Sequence, residues 1–199
     1  MAAGERTSMR RSGTQTRSEI QRVAFELFST QGYDATSLRE IATALGINKA
    51  SLYYHFASKE EILASLFEQR GSEVTELLEW LREQPASPSL LEESVLRWVD
   101  SFSIDKLRGI RFLTANPRLA RRTGGDAGEG IGAGLRALAD ELSPLLPDDT
   151  PRRRLLLRMS ILSINAAVFA AAETDIPDAE IIVAAHDAAR ALIEEARSS

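Results

Sequence analysis

The side chains between Lys49 and Lys59 are the ones whose types and spacing could do chemistry. On a helix turning about 100° per residue, Leu52 and Phe56 share one face and can anchor the segment. Ala50, Ser51 and Tyr54 then point the opposite way, Tyr53 and His55 flank them, and Lys49 lies at the open end. Small, hydroxyl, aromatic and basic groups make a poor core. They suit a helix laid in a DNA major groove, where a slim N-terminal half lets the backbone approach the base edges. Lys59 opens the following helix. A cation is ordinarily disfavoured at the positive end of a helix dipole, but a phosphate docked there would be bound by Lys59 and the exposed amides together. An ordinary helical hairpin with a solvated second helix and a solvated lysine carries the same residues, so on their own they leave both readings open.

Positioning those groups requires short, well-capped helices. The stretch from Ser37 to Phe56, SLREIATALGINKASLYYHF, reads as two helices joined by a tight turn. Leu38, Ile41, Ala42 and Leu45 make one apolar stripe. Ser37 and Glu40 can form a capping box, Gly46 can take the left-handed conformation that ends the helix, and Asn48 can cap the next. An earlier helix from Thr16 to Gln31 carries Ile20, Val23, Ala24, Leu27 and Phe28 on one face and stops at Gly32. A fourth begins at Ser58, with Glu61 completing another capping box, and keeps an apolar face as far as Leu81.

Gly46 to Leu63 reads GINKASLYYHFASKEEIL, and Phe25 to Ala42 reads FELFSTQGYDATSLREIA. Over Arg17 to Leu66 the chain resembles the DNA-binding signature of the TetR family of bacterial transcriptional regulators. The shared features are a glycine turn, a small-residue helix start, Leu-Tyr-x-His-Phe and a Ser-Lys-Glu helix start. Ala50 stands where many relatives carry glycine. The resemblance implies DNA contacts from Thr36, Ser37, Lys49, Ala50, Ser51, Tyr53, Tyr54, His55 and Lys59. Tyr53, Tyr54 and His55 would position the helix on the backbone. It also implies a double-stranded, near-palindromic operator, repression relieved by a small-molecule effector bound in the helical body, and a homodimer formed through the last two long helices.

Charge is spread to match. Residues 1–60 hold eight Lys and Arg against six Asp and Glu, although the whole chain carries a net charge of −5. A mildly basic end on an acidic body suits contact with phosphates at one end only. Arg6, Arg10, Arg11 and Arg17 give the first residues the look of a flexible basic arm that could follow phosphates or a minor groove. The absence of cysteine excludes disulfides and thiolate metal sites. The polar N-terminus lacks the apolar core of a signal peptide, and the apolar run near Ser160–Ala172 is too short for a bilayer, so a cytoplasmic protein with no membrane partner is expected.

The rest of the chain reads as a helical body. Ser89 and Glu92 suggest a capping box, and helices follow to Phe102 and from Asp105 to Asn116. Six glycines between Gly124 and Gly134 suggest a mobile loop. From Pro151 to Ala172 the pattern predicts one long helix, apolar nearly all round and therefore buried on every side. An alanine-rich helix from Pro177 to Arg197 closes the chain, and two such helices per subunit, with Ala185 inside the bundle, would make a four-helix dimer interface. Trp98, Phe102, Phe112, Met159, Ser163 and Asn165 are the candidate ligand-pocket residues, as aromatic walls with a few polar groups; plain core explains the apolar ones equally. His186 and Asp187 are adjacent and point apart on a helix, no nucleophile or metal-ligand cluster is apparent, and no cofactor or enzyme activity is expected. The expected fold is all-α. A basic arm (1–15) precedes a three-helix helix-turn-helix module (16–57), followed by an effector-binding and dimerisation domain (58–199). A helical ligand-binding protein or enzyme whose N-terminal module no longer binds DNA is the competing class.

Overall fold

Apolar stripes at helical spacing become helices: the described residues form ten α-helices and a short 3-10 turn, with no strand among them. The computed structural model describes residues 13–87, 89–172 and 174–198. Arg6, Arg10 and Arg11 of the expected arm lie outside them. The chain divides into two units, Met1–Ile62 and Leu63–Ser199.

The first unit holds α1 (Gly13–Gln31), α2 (Leu38–Leu45), α3 (Lys49–His55) and the start of α4 (Lys59–Glu83). Gly13–Gln15 already belong to α1, so the helix reaches into what reads as arm. Ile20, Ala24 and Phe28 of α1 and Ile41, Leu52, Phe56 and Ile62 are all buried, with α1 packed on α2 and α2 on α3. Caps set the helix ends. The Ser37 hydroxyl accepts from Glu40 N–H at 3.2 Å, and the Glu40 carboxylate accepts from Ser37 N–H at 2.7 Å. Gly46 takes φ 67°, and its N–H donates to Thr43 C=O while that of Ile47 donates to Ala42 C=O. These paired bonds satisfy carbonyls that the ending helix leaves open.

The second unit continues α4 and adds α5 (Leu90–Asp100), α6 (Ile104–Ala115), α7 (Pro117–Leu142), the 3-10 turn Ser143–Leu145, α8 (Pro151–Ile161), α9 (Ser163–Ala170) and α10 (Asp178–Arg197). Val95, Leu107, Leu138, Leu142, Leu157, Ile164 and Ile193 are fully enclosed. Thr150 caps α8 by accepting from Arg153 N–H, with Pro151 at the first helical position. Arg153 in turn donates to the carbonyls of Ala196 and Ser198, at the negative end of α10.

Four expectations fail in this unit. The glycine-rich segment is not a loop but the middle of α7, interrupted at Gly125 (φ 37°, ψ −132°). Packing accounts for it: a Cβ added to Gly134 would lie 2.5 Å from Val74 Cγ1, so glycine lets α7 approach α4. Ser89 forms no capping box; its backbone is already helical and its side chain makes no cap bond. The single long helix is two, α8 and α9, broken at Leu162 (φ −88°, ψ 3°). Nor is that stretch buried all round, because Leu155, Met159, Leu162 and Phe169 are exposed in the protomer, whereas Ala185 is enclosed within the protomer's own core.

Candidate nucleic-acid interface and ligand cavity

Asn48 Oδ1 accepts from Ser51 N–H at 2.7 Å and so fixes the start of α3. Leu52 and Phe56 are fully buried beneath it. The opposite face is left to solvent: Lys49, Ala50 and Tyr54 are exposed, Ser51 and His55 half-buried. Tyr53 is 45% exposed and Tyr54 86%. Lys49 Nζ lies 5.2 Å from the centre of the Tyr53 ring, and Tyr54 meets His55 edge to face at 5.2 Å. Backbone and side chains therefore present a narrow helix start followed by an aromatic rim, anchored from below.

The flanking candidates are placed differently. Thr36 is buried and its hydroxyl donates to Gly32 C=O at 2.8 Å, so that side chain serves the turn. Ser37 is exposed, with its hydroxyl engaged in the cap. The Ser37 hydroxyl, and after it the Ser37 N–H, hold the Glu40 carboxyl below its ordinary range. Lys59 Nζ donates to Tyr33 C=O at 2.5 Å and sits 4.3 Å above the Tyr33 ring. The amide cradle expected beside it is largely taken. Glu61 N–H donates to Ser58 Oγ, Ala57 N–H donates to the Glu61 carboxylate, and the Glu60 carboxyl is held low first by its own N–H. An anion at this helix start would meet the Lys59 ammonium rather than a set of free amides.

Arg17 belongs to this site in a way the sequence did not indicate. It is not arm but α1, and its guanidinium donates to His55 C=O at 2.8 Å while covering the Phe56 ring at 4.1 Å. It ties down the C-terminal end of α3. Tyr33, whose carbonyl holds Lys59, was likewise missed; both links join residues far apart in the chain, and no local pattern reveals them.

In the second unit, residues of α4 to α7 and Asn165 line an open cavity of about 530 Å³. Trp98 and Phe102 line it, their rings edge to face at 5.3 Å, and Trp98 Nε1 donates to Ile161 C=O at 3.1 Å. Asn165 lines it as an exposed residue, not as the buried amide its neighbours suggest. Phe112 is buried core outside the lining, and Met159 is 45% exposed on the outer side of α8. Ser163 is buried with no partner for its hydroxyl, and it also stands outside the lining. The residue that sequence reasoning overlooked is Arg70, only 5% exposed and part of the wall. A signal existed: Arg70 occupies an apolar-face position of α4, between Leu66, Phe67 and Val74. Among the described residues no cluster of His, Asp and Glu could hold a metal ion, and no helix is long and apolar enough to cross a membrane.

A capped helix-turn-helix whose second helix leaves one face to solvent, followed by an all-α body, defines a helix-turn-helix protein. The model of bacterial regulatory proteins of the tetR family matches residues 20–66. Over that domain the chain is similar to the TetR family. It is 36% identical over 96 residues to the HTH-type transcriptional regulator AcrR of Shigella flexneri, covering 47% of this chain and 45% of that one. It is 59% identical over 39 residues to the biofilm operon negative transcriptional regulator IcaR of Staphylococcus aureus, covering 20% and 21%. The matches thus span less than half the length of these relatives. The crystal structure of Mycobacterium smegmatis AmtR superposes with a TM-score of 0.56 at 26% identity, over 92% of this chain and 89% of that one.

Proposed function

We propose that the protein is a repressor that binds a near-palindromic DNA operator as a homodimer and is released by a small molecule held in its helical body. The observation that carries the reading is α3 itself, whose Tyr54 is 86% exposed on a helix anchored by two fully buried residues. A rigid helix with a large aromatic left in solvent is organised for a partner. Ala50 and Ser51 present little bulk to the base edges, Lys49 adds a donor, and Tyr53, Tyr54 and His55 bear on the sugar-phosphate backbone. The Lys59 ammonium has three donors and gives one to Tyr33, which leaves it positioned for a phosphate.

Dimerisation is supported by the apolar residues that the protomer leaves bare. Leu155, Met159, Leu162 and Phe169 recur along α8 and α9 at spacings of four, three and seven, and Val183 is exposed on α10. That stripe is the surface that a symmetric partner would cover. The effector reading rests on the cavity, whose size falls in the range of small-molecule sites, about 300–1,000 Å³. Leu66, Phe67 and Arg70 of its wall lie on the same helix, α4, that begins at Lys59, so a ligand that moves α4 has a route to the DNA contacts.

The test is a salt titration of wild type, Lys59→Ala and Ser51→Ala on DNA from upstream of the protein's own gene and on a scrambled duplex. Lys59→Ala should weaken both by similar factors and flatten the log–log salt slope by about 0.9 per phosphate lost. Ser51→Ala should instead relax preference for the upstream DNA, at about 1–3 kcal/mol per good base contact. Equal wild-type affinity for the two duplexes overturns the proposal.

A further inference from the structure

The cavity wall contains a charge that the fold does not fully use. Arg70 is 5% exposed, its guanidinium lies 4.2 Å from the Trp98 ring centre and 3.6 Å from that of Phe102, and it lines the cavity. Nη1 is satisfied by the Glu73 carboxylate and by Ser101 Oγ at 3.2 Å. Nη2 is buried with no partner. Leaving a buried charged donor unmade is costly, so its persistence needs a reason.

The surrounding charges do not balance. Glu73, which neutralises Arg70, is shared with Lys106 Nζ at 2.5 Å, and Lys106 also donates to Ser101 C=O at 2.8 Å. Two cations thus face one carboxylate beside the cavity. Among its described lining residues there is no Asp or Glu, and the other charged one is Arg121. The rest of the wall is largely apolar, including Leu66, Phe67, Leu113, Ile131 and Leu135. Burial pulls the Arg70 pKa down to about 10, with Glu73 acting in the opposite direction, so the group remains cationic at neutral pH while paying part of its desolvation unrelieved.

We infer that the cavity takes an amphipathic organic anion, its carboxylate paired with the Arg70 guanidinium and its apolar body packed among Leu66, Phe67, Leu113 and Leu135. The inference rests on the reading that the body of this chain holds an effector, and it sets that effector's chemical class. A carboxylate supplies the missing acceptor and the missing negative charge at once. A neutral ligand could offer an acceptor but would leave the excess positive charge uncompensated; a cationic one would add to the excess.

The test compares octanoate, octanol and octylamine, which share a chain and differ in head group, by titration calorimetry on the full-length protein. Octanoate should bind about tenfold or more tighter than octanol, with octylamine weakest. Octanol binding as tightly as octanoate, or octanoate showing no saturable binding, overturns the inference on wild type alone, whether or not any variant folds. Arg70→Met should abolish the preference for octanoate, and Arg70→Lys should restore part of it; a preference unchanged in Arg70→Met also overturns it. The same proteins are then assayed on upstream DNA. Octanoate binding that depends on Arg70 yet leaves DNA affinity unchanged upholds the site and overturns the regulatory reading instead.

Discussion

Replacing Arg17 by methionine separates two roles that an arginine near a DNA-binding helix can have. Its guanidinium donates to His55 C=O at 2.8 Å and covers the Phe56 ring at 4.1 Å, so it holds the end of α3 onto α1. A half-exposed charged hydrogen bond of this kind is worth about 1–1.5 kcal/mol, and the ring contact about 0.5–1 kcal/mol. Arg17→Met keeps most of the apolar stem and should therefore cost the first unit about 1.5–2.5 kcal/mol. At about 4–8 °C per kcal/mol for a domain of this size, the melting midpoint should fall by roughly 10 °C. The three tyrosines, Tyr33, Tyr53 and Tyr54, all lie in the first unit and both tryptophans, Trp80 and Trp98, in the second. Second-derivative tyrosine absorbance thus follows the first unit's melting while tryptophan fluorescence follows the second's. The tyrosine transition should move and the tryptophan one should not. Below the shifted midpoint the variant should bind DNA more weakly with an unchanged salt slope, since the loss is of helix placement. An unchanged tyrosine midpoint combined with a slope reduced by about 0.9 per site would refute this reasoning and return Arg17 to the role of a phosphate contact.

The glycines of α7 should behave unequally. Gly134→Ala places a Cβ against the stiff, β-branched Val74 and should destabilise the second unit by about 1 kcal/mol net, reversed by adding Val74→Ala, whereas Gly130→Ala meets nothing within 4 Å and should stabilise by up to about 1 kcal/mol; tryptophan-monitored melting distinguishes them. The proposed dimer makes a similar contrast. Phe169→Glu, on an exposed residue, should raise the dimer dissociation constant by about thirtyfold or more with helicity intact, as measured by sedimentation. Ala185→Glu, in a fully enclosed position, should unfold the body instead of releasing folded monomers. Folded monomeric Ala185→Glu, or dimeric Phe169→Glu of wild-type affinity, contradicts this division.

The sequence by itself determined the helices of the first unit, most of their ends and the bare face of α3. Those features depend on neighbours three or four residues apart: Ser37 with Glu40, Asn48 with Ser51, Leu52 with Phe56. The TetR-like spacing lies in one contiguous stretch, so no tertiary knowledge was needed to read it. Tertiary structure decided what long-range packing decides. Arg17 reaches His55 across 38 residues, Lys59 reaches Tyr33 across 26, and Arg70 reaches Ser101 across 31. Intrinsic propensity argues against a glycine-rich helix by about 1 kcal/mol per glycine, but α7 gains more from lying close against Val74 and Phe67 than it loses. The pattern of α8 and α9 also says only that apolar residues need covering. Which are covered within the protomer, as Leu157 and Ile164 are, and which are left for a partner, as Phe169 is, depends on where the other helices lie, because a hydrophobic stripe records a need for burial and not the surface that meets it.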